Sequence, residues 1–206
     1  MRTDSGRGRR MSPKPRPSAK RSAPTAPVYQ LKLTLAEVEP PVWRRIRVRG
    51  DLSLARLHDV LQRAMGWQNA HLHEWIVGGR RYGQPEPDEP HYEVEDERKL
   101  TLREAAPVEG ARFGYVYDLG DGWTHEVVVE KIEPPDPELR SPECLAGERA
   151  CPPEDCGGAG GYEEFLEAIR DPRHPEHEDQ LAWMGGRFDP EAFDLAAVNR
   201  KLRALR

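Results

Sequence analysis

The stretch "VYQLKLTLAEVEPPVWRRIRV", residues 28–48, decides the fold, because both of its halves carry the two-residue alternation of a β-strand. In the first half, the odd-numbered positions are apolar: Tyr29, Leu31, Leu33 and Leu35. The even-numbered positions are largely polar: Val28, Gln30, Lys32 and Thr34. Pro40-Pro41 then breaks the chain, and residues 42–48 read as a second strand. The stretch therefore predicts an antiparallel hairpin with one buried face.

Four arginines lie in or beside the second strand of this hairpin: Arg44, Arg45, Arg47 and Arg49. Such a cluster is compatible with a phosphate-binding patch. We interpret it instead as the solvent-exposed face of an amphipathic strand, which is the commoner role of charged residues in an antiparallel sheet.

A helix and further strands follow the hairpin. The segment "LSLARLHDVLQRAMGW", residues 52–67, repeats apolar residues at helical spacing, with Ser53 as an N-cap and Gly66 as a stop. The segment "HLHEWIVGGRRYG", residues 71–83, predicts a strand that enters a Gly-Gly turn, and residues 84–99 predict an acidic loop. Two more strands, joined by a tight Gly-Asp-Gly turn, are predicted for "RFGYVYDLGDGWTHEVVVEKIEP", residues 112–134.

The remainder of the chain, after Pro134, lacks strand character. It predicts a proline-rich cysteine loop and three helices near residues 162–169, 176–184 and 190–205. Strands early and helices late predict an α+β fold with a mainly antiparallel sheet, one helix after the first hairpin and a C-terminal group of helices.

The first 27 residues differ in composition from the rest. They hold eight Lys or Arg, one acid and five prolines without apolar periodicity, which predicts a disordered basic tail before a single domain of residues 28–206. Since the whole chain has 31 basic and 36 acidic residues, the domain keeps 23 and 35 of them and a net charge of −12. An acidic domain lacks the broad basic footprint of a sequence-independent DNA-binding protein, so we expect only weak nucleic-acid contact, through the tail.

The sequence also bears on the cellular compartment. It contains no apolar run of the length of a signal-peptide core or a membrane span. Its three cysteines argue against a disulfide framework, because an odd number leaves one unpaired. We therefore expect a cytoplasmic protein without membrane contact.

The cysteine loop is the first candidate site. Cys144, Cys151 and Cys156 follow a C-x6-C-x4-C spacing, which could bring three thiolates around a zinc ion if the prolines bend the loop. His125 is the nearest candidate for a fourth ligand, and four other histidines are possible: His71, His73, His174 and His177. The alternative is a rigid turn, stiffened by Pro152-Pro153 and two glycine pairs, that docks the following helix.

The hairpin turn "YDLGDGWTH", residues 117–125, is the second candidate site. Asp118, Asp121 and His125 surround one turn, and two carboxylates beside an imidazole can bind a divalent cation or transfer protons. If the strand that carries His73 abuts this hairpin, then His73, His125 and Asp118 would form a polar cluster inside an aromatic rim. The alternative is ordinary turn chemistry, in which Asp118 caps the turn.

Six motifs in matching order resemble the plasmid pRiA4b ORF-3-like family over residues 28–199: "VWRRIRV", "LHDVLQRAMGW", "HLHEW", "YDLGDGWTHEVVVEKI", "CLAGERACPPEDCGGAGGYEEFLEAI" and "FDPEAFDLAAVN". The resemblance implies an α+β domain of a kind that occurs on plasmids, in chromosomes and beside insertion-sequence genes. It implies the fold more firmly than an activity, although some members carry a resolvase label.

The residues do not support that label. A serine recombinase needs an ordered serine nucleophile among arginines, but four of the six serines lie in the tail, Ser53 suits an N-cap and Ser141 precedes a proline. We therefore predict a non-catalytic binding or accessory module, associated with plasmid or mobile-element genes, whose acidic face or aromatic hairpin contacts a protein partner. The alternative is a metal-dependent hydrolase that uses the cysteine and histidine groups.

Overall fold

The computed structural model describes residues 26–85 and 94–205. Within these ranges, eight strands form one sheet: β1 (Val28–Leu35), β2 (Trp43–Arg49), β3 (His73–Val77), β4 (Arg80–Gly83), β5 (Glu95–Asp96), β6 (Arg112–Tyr117), β7 (Trp123–Glu133) and β8 (Glu143–Glu148). Their order across the sheet is β5-β4-β3-β6-β7-β1-β2-β8. Neighbouring strands are antiparallel except for the short β4–β5 pair.

Among the described residues, five α-helices accompany the sheet: α1 (Leu54–Met65), α2 (Leu102–Ala105), α3 (Gly158–Arg170), α4 (His177–Trp183) and α5 (Leu195–Arg203). A 3-10 turn, Glu97–Lys99, precedes α2. The predicted α+β class, the single helix after the first hairpin and the C-terminal group of helices are confirmed. In the described part of the chain, no helix is long and apolar enough to cross a membrane.

The first hairpin has the predicted alternation and lies inside the sheet. β1 pairs with β2 on one side and with β7 on the other, and Leu31 and Leu33 are fully buried. α1 packs its apolar side into the same core. Its predicted ends are confirmed, since the Ser53 hydroxyl accepts a hydrogen bond from the Arg56 amide and Gly66 adopts a left-handed conformation that ends the helix.

The expectation that no strand follows Pro134 is wrong, because residues 143–148 form β8. β8 is an edge strand on β2, with a register shift between Arg45 and Ile46. The segment "ECLAGE" has no two-residue alternation, so the sequence gives no local signal for it. Tertiary contacts fix it instead: the Asn199 side chain in α5 accepts a hydrogen bond from the Cys144 amide and donates one to the Cys144 carbonyl, both at 2.8 Å.

The arginine-rich strand is solvent-facing at three of its four arginines. Arg45 pairs with Glu130, Arg47 with Glu133 and Asp136, and Arg49 with Asp51. The interpretation is wrong for Arg44, which is only 2% exposed. Arg44 has the parity of Ile46 and Val48, and the pleat therefore turns it toward the core.

The predicted boundary of the basic tail lies close to the start of the described residues. Ala26 is buried, and the Pro27 carbonyl accepts a hydrogen bond from the Gly50 amide at 2.8 Å. Ala26 and Pro27, the last two residues of the predicted tail, therefore belong to the packed structure. Residues 1–25, on which the prediction of disorder falls, lie outside the described ranges, and so does the middle of the predicted acidic loop, residues 86–93.

Candidate functional site

The three cysteines are thiols in two different settings. Cys144 lies in β8, 2% exposed, with its Sγ 3.4 Å from the Ala146 carbonyl oxygen that accepts its hydrogen bond. Cys151 and Cys156 lie in the loop that leads from β8 to α3, and none of the three forms a disulfide. Burial raises the pKa of Cys144, raises that of Cys151 well above its ordinary value, and raises that of Cys156 to about 12. Neutral thiols are poor nucleophiles and release a proton only at a cost when they bind metal.

His125 is a core histidine. It is fully buried in β7, and its Nδ1 donates a hydrogen bond to the Tyr115 carbonyl at 3.2 Å. Among the described residues its Nε2 has no hydrogen-bond partner, and the Trp67 ring lies edge-on to the imidazole, with 5.2 Å between the ring centroids. Burial lowers the pKa of His125 to about 4, so the imidazole is neutral at physiological pH.

The structure does not collect the predicted zinc ligands into one group. Across residues 26–85 and 94–205, no three ligand atoms drawn from Cys144, Cys151, Cys156 and His125 lie within 4.8 Å of one another. Zinc binding by these four side chains stays a prediction that the geometry does not favour.

The predicted cluster of His73, His125 and Asp118 is divided by β6. This strand lies between β3, which carries His73, and β7, which carries His125. The Tyr115 ring is 6.0 Å from the ring of His73 and 5.3 Å from that of His125. Asp121 takes part in turn structure, and its carboxylate accepts a hydrogen bond from the Gly157 amide at 3.2 Å.

Asp118 caps the hairpin turn, as predicted from turn chemistry. Its Oδ1 accepts hydrogen bonds from the amides of Gly120 and Asp121 at 2.9 and 3.2 Å. Its backbone is left-handed, with φ 56°. Its other carboxylate oxygen, Oδ2, lies 3.6 Å from Nε2 of His71. Asp118 thus joins a different group, made of His71, Asp118 and Asp155, whose ligand atoms do lie within 4.8 Å of one another.

A second histidine network lies behind His73. The His73 ring stacks on His58 of α1, with 3.4 Å between centroids and 8° between planes. His73 Nε2 is 2.8 Å from Glu97 Oε2, which also accepts the Trp75 indole N–H at 3.0 Å. Both Glu97 and His58 are buried.

The protonation state of His58 follows from its partners. Nε2 is 2.7 Å from the acceptor oxygen Asn69 Oδ1 and therefore carries the proton, which leaves Nδ1 to accept the Tyr115 hydroxyl at 2.8 Å. Gln62 donates to the same hydroxyl at 3.0 Å. Burial, followed by the charge of His73, lowers the pKa of His58 to about 4. On the α1 side of the network, the imidazole of His58 is therefore neutral, and both of its nitrogens are hydrogen-bonded.

Sequence reasoning missed His58 and Gln62 as members of a network. A signal was present, because the two polar residues are one helical turn apart among the core-facing positions Leu54, Leu61 and Met65. A buried polar pair at that spacing indicates a hydrogen-bonded core network.

One cleft borders the cysteine loop and another borders the histidine network. The larger, about 590 Å³, lies between the end of α1, the cysteine loop and the C-terminal helices, and it is lined by aromatic and methionine side chains: Met65, Trp67, Trp183, Met184, Phe188 and Phe193. We call it the aromatic cleft. The second, about 490 Å³, is lined by His58, His71, His73 and Glu97 among others. Both concave surfaces are of ligand-binding size.

Comparison with known proteins agrees with this fold. A family model described as plasmid pRiA4b ORF-3-like protein matches residues 27–197. The chain is 41% identical over 177 residues to the uncharacterized protein y4hQ of Sinorhizobium fredii (strain NBRC 101917 / NGR234), covering 85% of this chain and 90% of that protein. It is also similar to the crystal structure of MM3350, a protein of unknown function from Methanosarcina mazei Go1, with a TM-score of 0.75 and 38% identity. The match covers 84% of this chain and 98% of MM3350.

A glycine pair tests the structural role of the cysteine loop. A Cβ on Gly161 would lie 1.9 Å from the Cys156 carbonyl oxygen, whereas a Cβ on Gly160 would meet nothing within 4 Å. Gly161→Ala should therefore lower the free energy of unfolding by several kcal/mol, because the loop must move off α3. Gly160→Ala, one residue away in the same helix, should be neutral or stabilising by up to about 1 kcal/mol. Urea denaturation of both variants measures this, and equal effects would contradict the tight docking of the loop.

The two buried histidines predict acid sensitivity. Their folded pKa values of about 4 lie below the ordinary histidine pKa of 6.5, so between these pH values the unfolded chain binds protons that the folded chain does not. The contribution of these histidines to the free energy of unfolding should be fully present above pH 6.5. It should fall as the pH drops toward 4, by at most about 3 kcal/mol for each histidine. Denaturation curves at each pH test this, and His125→Leu should reduce the slope of the unfolding free energy against pH. The variant His174→Gln, outside the sheet, serves as control; a slope unchanged in His125→Leu would contradict the assignment.

Proposed function

This chain belongs to the plasmid pRiA4b ORF-3-like family, and from that premise we propose that it is a non-catalytic binding module whose aromatic cleft takes an apolar segment of a protein partner. The plasmid or mobile-element association is part of this proposal and rests on the family description. The observation that carries the binding role is the composition of the cleft wall.

Large, adaptable apolar side chains form that wall. Trp67 is held in place, because its indole N–H donates to the Pro152 carbonyl at 3.2 Å. Trp183 is different: it is 49% exposed and lies in α4, a helix that has no buried residue. Tryptophan and methionine are enriched where proteins bind other polypeptides, since they give large contact areas and adapt in shape. An apolar side chain of a partner would cover the exposed part of Trp183.

Charged side chains of both signs border the aromatic cleft. Arg63 and Lys201 contribute exposed cations, whereas Asp155 and Asp194 contribute exposed carboxylates. Such a polar rim around an apolar centre is the usual composition of a protein interface. The expected ligand is therefore an extended or helical segment with one or two large apolar residues and mixed charge at its flanks.

The groups that catalysis would need do not favour an enzyme. The thiols have raised pKa values, and His125 is inaccessible to a substrate because it is fully buried. A hydrolase that uses these cysteine and histidine groups is the weaker alternative, since the described residues do not hold them in one cluster.

Selection of peptides tests the proposed cleft. Peptides selected from a random display library against the full chain should carry large apolar residues and should lose at least tenfold in affinity for Trp183→Ala, since hot-spot tryptophans contribute about 1.4 kcal/mol or more. Trp183 is half exposed, so this variant should fold. Val108→Ala, which truncates another exposed apolar residue outside the aromatic cleft, is the matched control. Peptides that bind Trp183→Ala as tightly as the natural chain would contradict the proposal.

We also propose that the basic tail of residues 1–27 supplies weak nucleic-acid contact. The support is charge alone: eight basic residues and one acid precede a domain of net charge −12. Binding of duplex DNA to the full chain should be weak, should fall steeply with salt and should disappear on removal of residues 1–25. Fluorescence anisotropy at 50 and 200 mM salt, concentrations of the order used for such comparisons, measures it. Tight binding by the shortened chain would contradict this part of the proposal.

A further inference from the structure

We propose that His71, Asp118 and Asp155, with Glu154 beside them, bind one divalent transition-metal ion of the Mn²⁺ or Zn²⁺ kind. The three residues come from three separate segments: the loop before β3, the end of β6 and the cysteine loop. Their ligand atoms lie within 4.8 Å of one another. This site is distinct from the predicted set of three cysteines and His125.

The distances suit a metal ion. Nε2 of His71 is 3.0 Å from Asp155 Oδ1, 3.6 Å from Asp118 Oδ2 and 3.8 Å from Glu154 Oε2. Metal–ligand bonds of about 2.1 Å place neighbouring donors about 3 Å apart and opposite donors about 4 Å apart. The distances from Nε2 of His71 to the three carboxylate oxygens fall in this range.

The imidazole at the centre of the group also supports a metal site. Nε2 of His71 is buried, yet it makes no hydrogen bond to any described residue, although three carboxylate oxygens surround it. Asp118, which faces this nitrogen, is itself buried, with 7% of its surface exposed. Buried polar atoms in folded proteins normally have partners, and a cation between imidazole and carboxylates would satisfy them all.

The surrounding hydrogen bonds hold the donors in place without the ion. Glu154 accepts the Gln68 amide at 2.8 Å and the Tyr117 hydroxyl at 3.1 Å, which ties the cysteine loop to the segment before His71. The Asp118 amide donates to the Leu72 carbonyl at 2.9 Å, next to His71. Such second-sphere contacts orient ligands in metal sites.

The donor set selects the kind of metal. Carboxylate oxygens alone suit Mg²⁺ and Ca²⁺, whereas an imidazole nitrogen favours first-row transition metals. One nitrogen with two or three carboxylates therefore favours Mn²⁺ or Zn²⁺. His71 lines the cleft of about 490 Å³ and Asp155 lines the aromatic cleft, so the ion would lie between the two.

Backbone conformation allows clean variants. Asp118 and Asp155 have φ values of 56° and 58°, in the left-handed region that asparagine tolerates as well as aspartate does. Asparagine at position 118 also keeps an oxygen for the turn amides of Gly120 and Asp121. Asp118→Asn and Asp155→Asn should therefore each remove the negative charge of one ligand without disturbing the fold. Asp121→Asn, on the same turn but outside the group, is the matched control.

The test is titration calorimetry of the full chain, stripped with a chelator, against MnCl₂ and ZnCl₂, with MgCl₂ and CaCl₂ in parallel. We expect one equivalent of Mn²⁺ or Zn²⁺, a higher melting temperature with metal, and at least tenfold weaker binding in Asp118→Asn and Asp155→Asn. Asp121→Asn should bind as the natural chain does, and melting curves without metal should show all three variants folded.

Three results would overturn the site. One is no binding of either ion at millimolar concentration, which would leave His71 as an ion-pair partner of the acids. Another is binding unchanged in both asparagine variants. The third is zinc binding that is lost in Cys151→Ser but kept in Asp155→Asn, which would assign the metal to the cysteines. Peptide binding at the aromatic cleft is measured separately, so failure of the metal site and failure of the proposed function are distinguishable.

Discussion

The packing around the aromatic cleft depends on the buried guanidinium group of Arg44. It is buried, and its hydrogen bonds go to main-chain carbonyls: Nε to Ala64 at 3.0 Å, Nη1 to Trp43 and Glu148 at 2.8 Å, and Nη2 to Arg149 at 2.9 Å. One side chain thus binds the C-terminal turn of α1 and the end of β8 together. Hydrogen bonds from a charged donor contribute about 1.5–3 kcal/mol each, so this is a strong constraint on where the cysteine loop starts.

The same guanidinium orders the C-terminal part of the chain. It lies over the ring of Phe193, with 4.6 Å between Cζ and the ring centroid. This stack requires glycine at position 147, since a Cβ there would be 2.7 Å from the Phe193 ring and 2.8 Å from Arg44 Cδ. Phe193 is in turn part of the wall of the aromatic cleft. A buried charge in β2 therefore helps to shape a surface more than one hundred residues later in sequence.

The cysteine loop is held by contacts on both of its sides. On one side the Trp67 indole and the Gln68 amide bind Pro152 and Glu154. On the other, the close approach of Gly161 to the Cys156 carbonyl seats the loop against α3. A loop held this firmly can present Asp155 and the wall of the aromatic cleft with little loss of conformational entropy on binding. These contacts make the segment rigid.

The sequence by itself determined the elements whose pattern is local. Alternation in residues 28–35 and 112–132 reflects one buried sheet face, and Ser53 and Gly66 mark α1 through the backbone groups at its ends. The turn role of Asp118 is also local, because its carboxylate bonds to amides two and three residues away. Only the tertiary structure decided the rest. β8 forms because β2 and Asn199 hold a segment without alternation, and the order β3-β6-β7 separates His73 from His125. The same order, with the loop fixed by Glu154, brings His71, Asp118 and Asp155 together, because their proximity depends on strand neighbours and long-range contacts that no local spacing encodes.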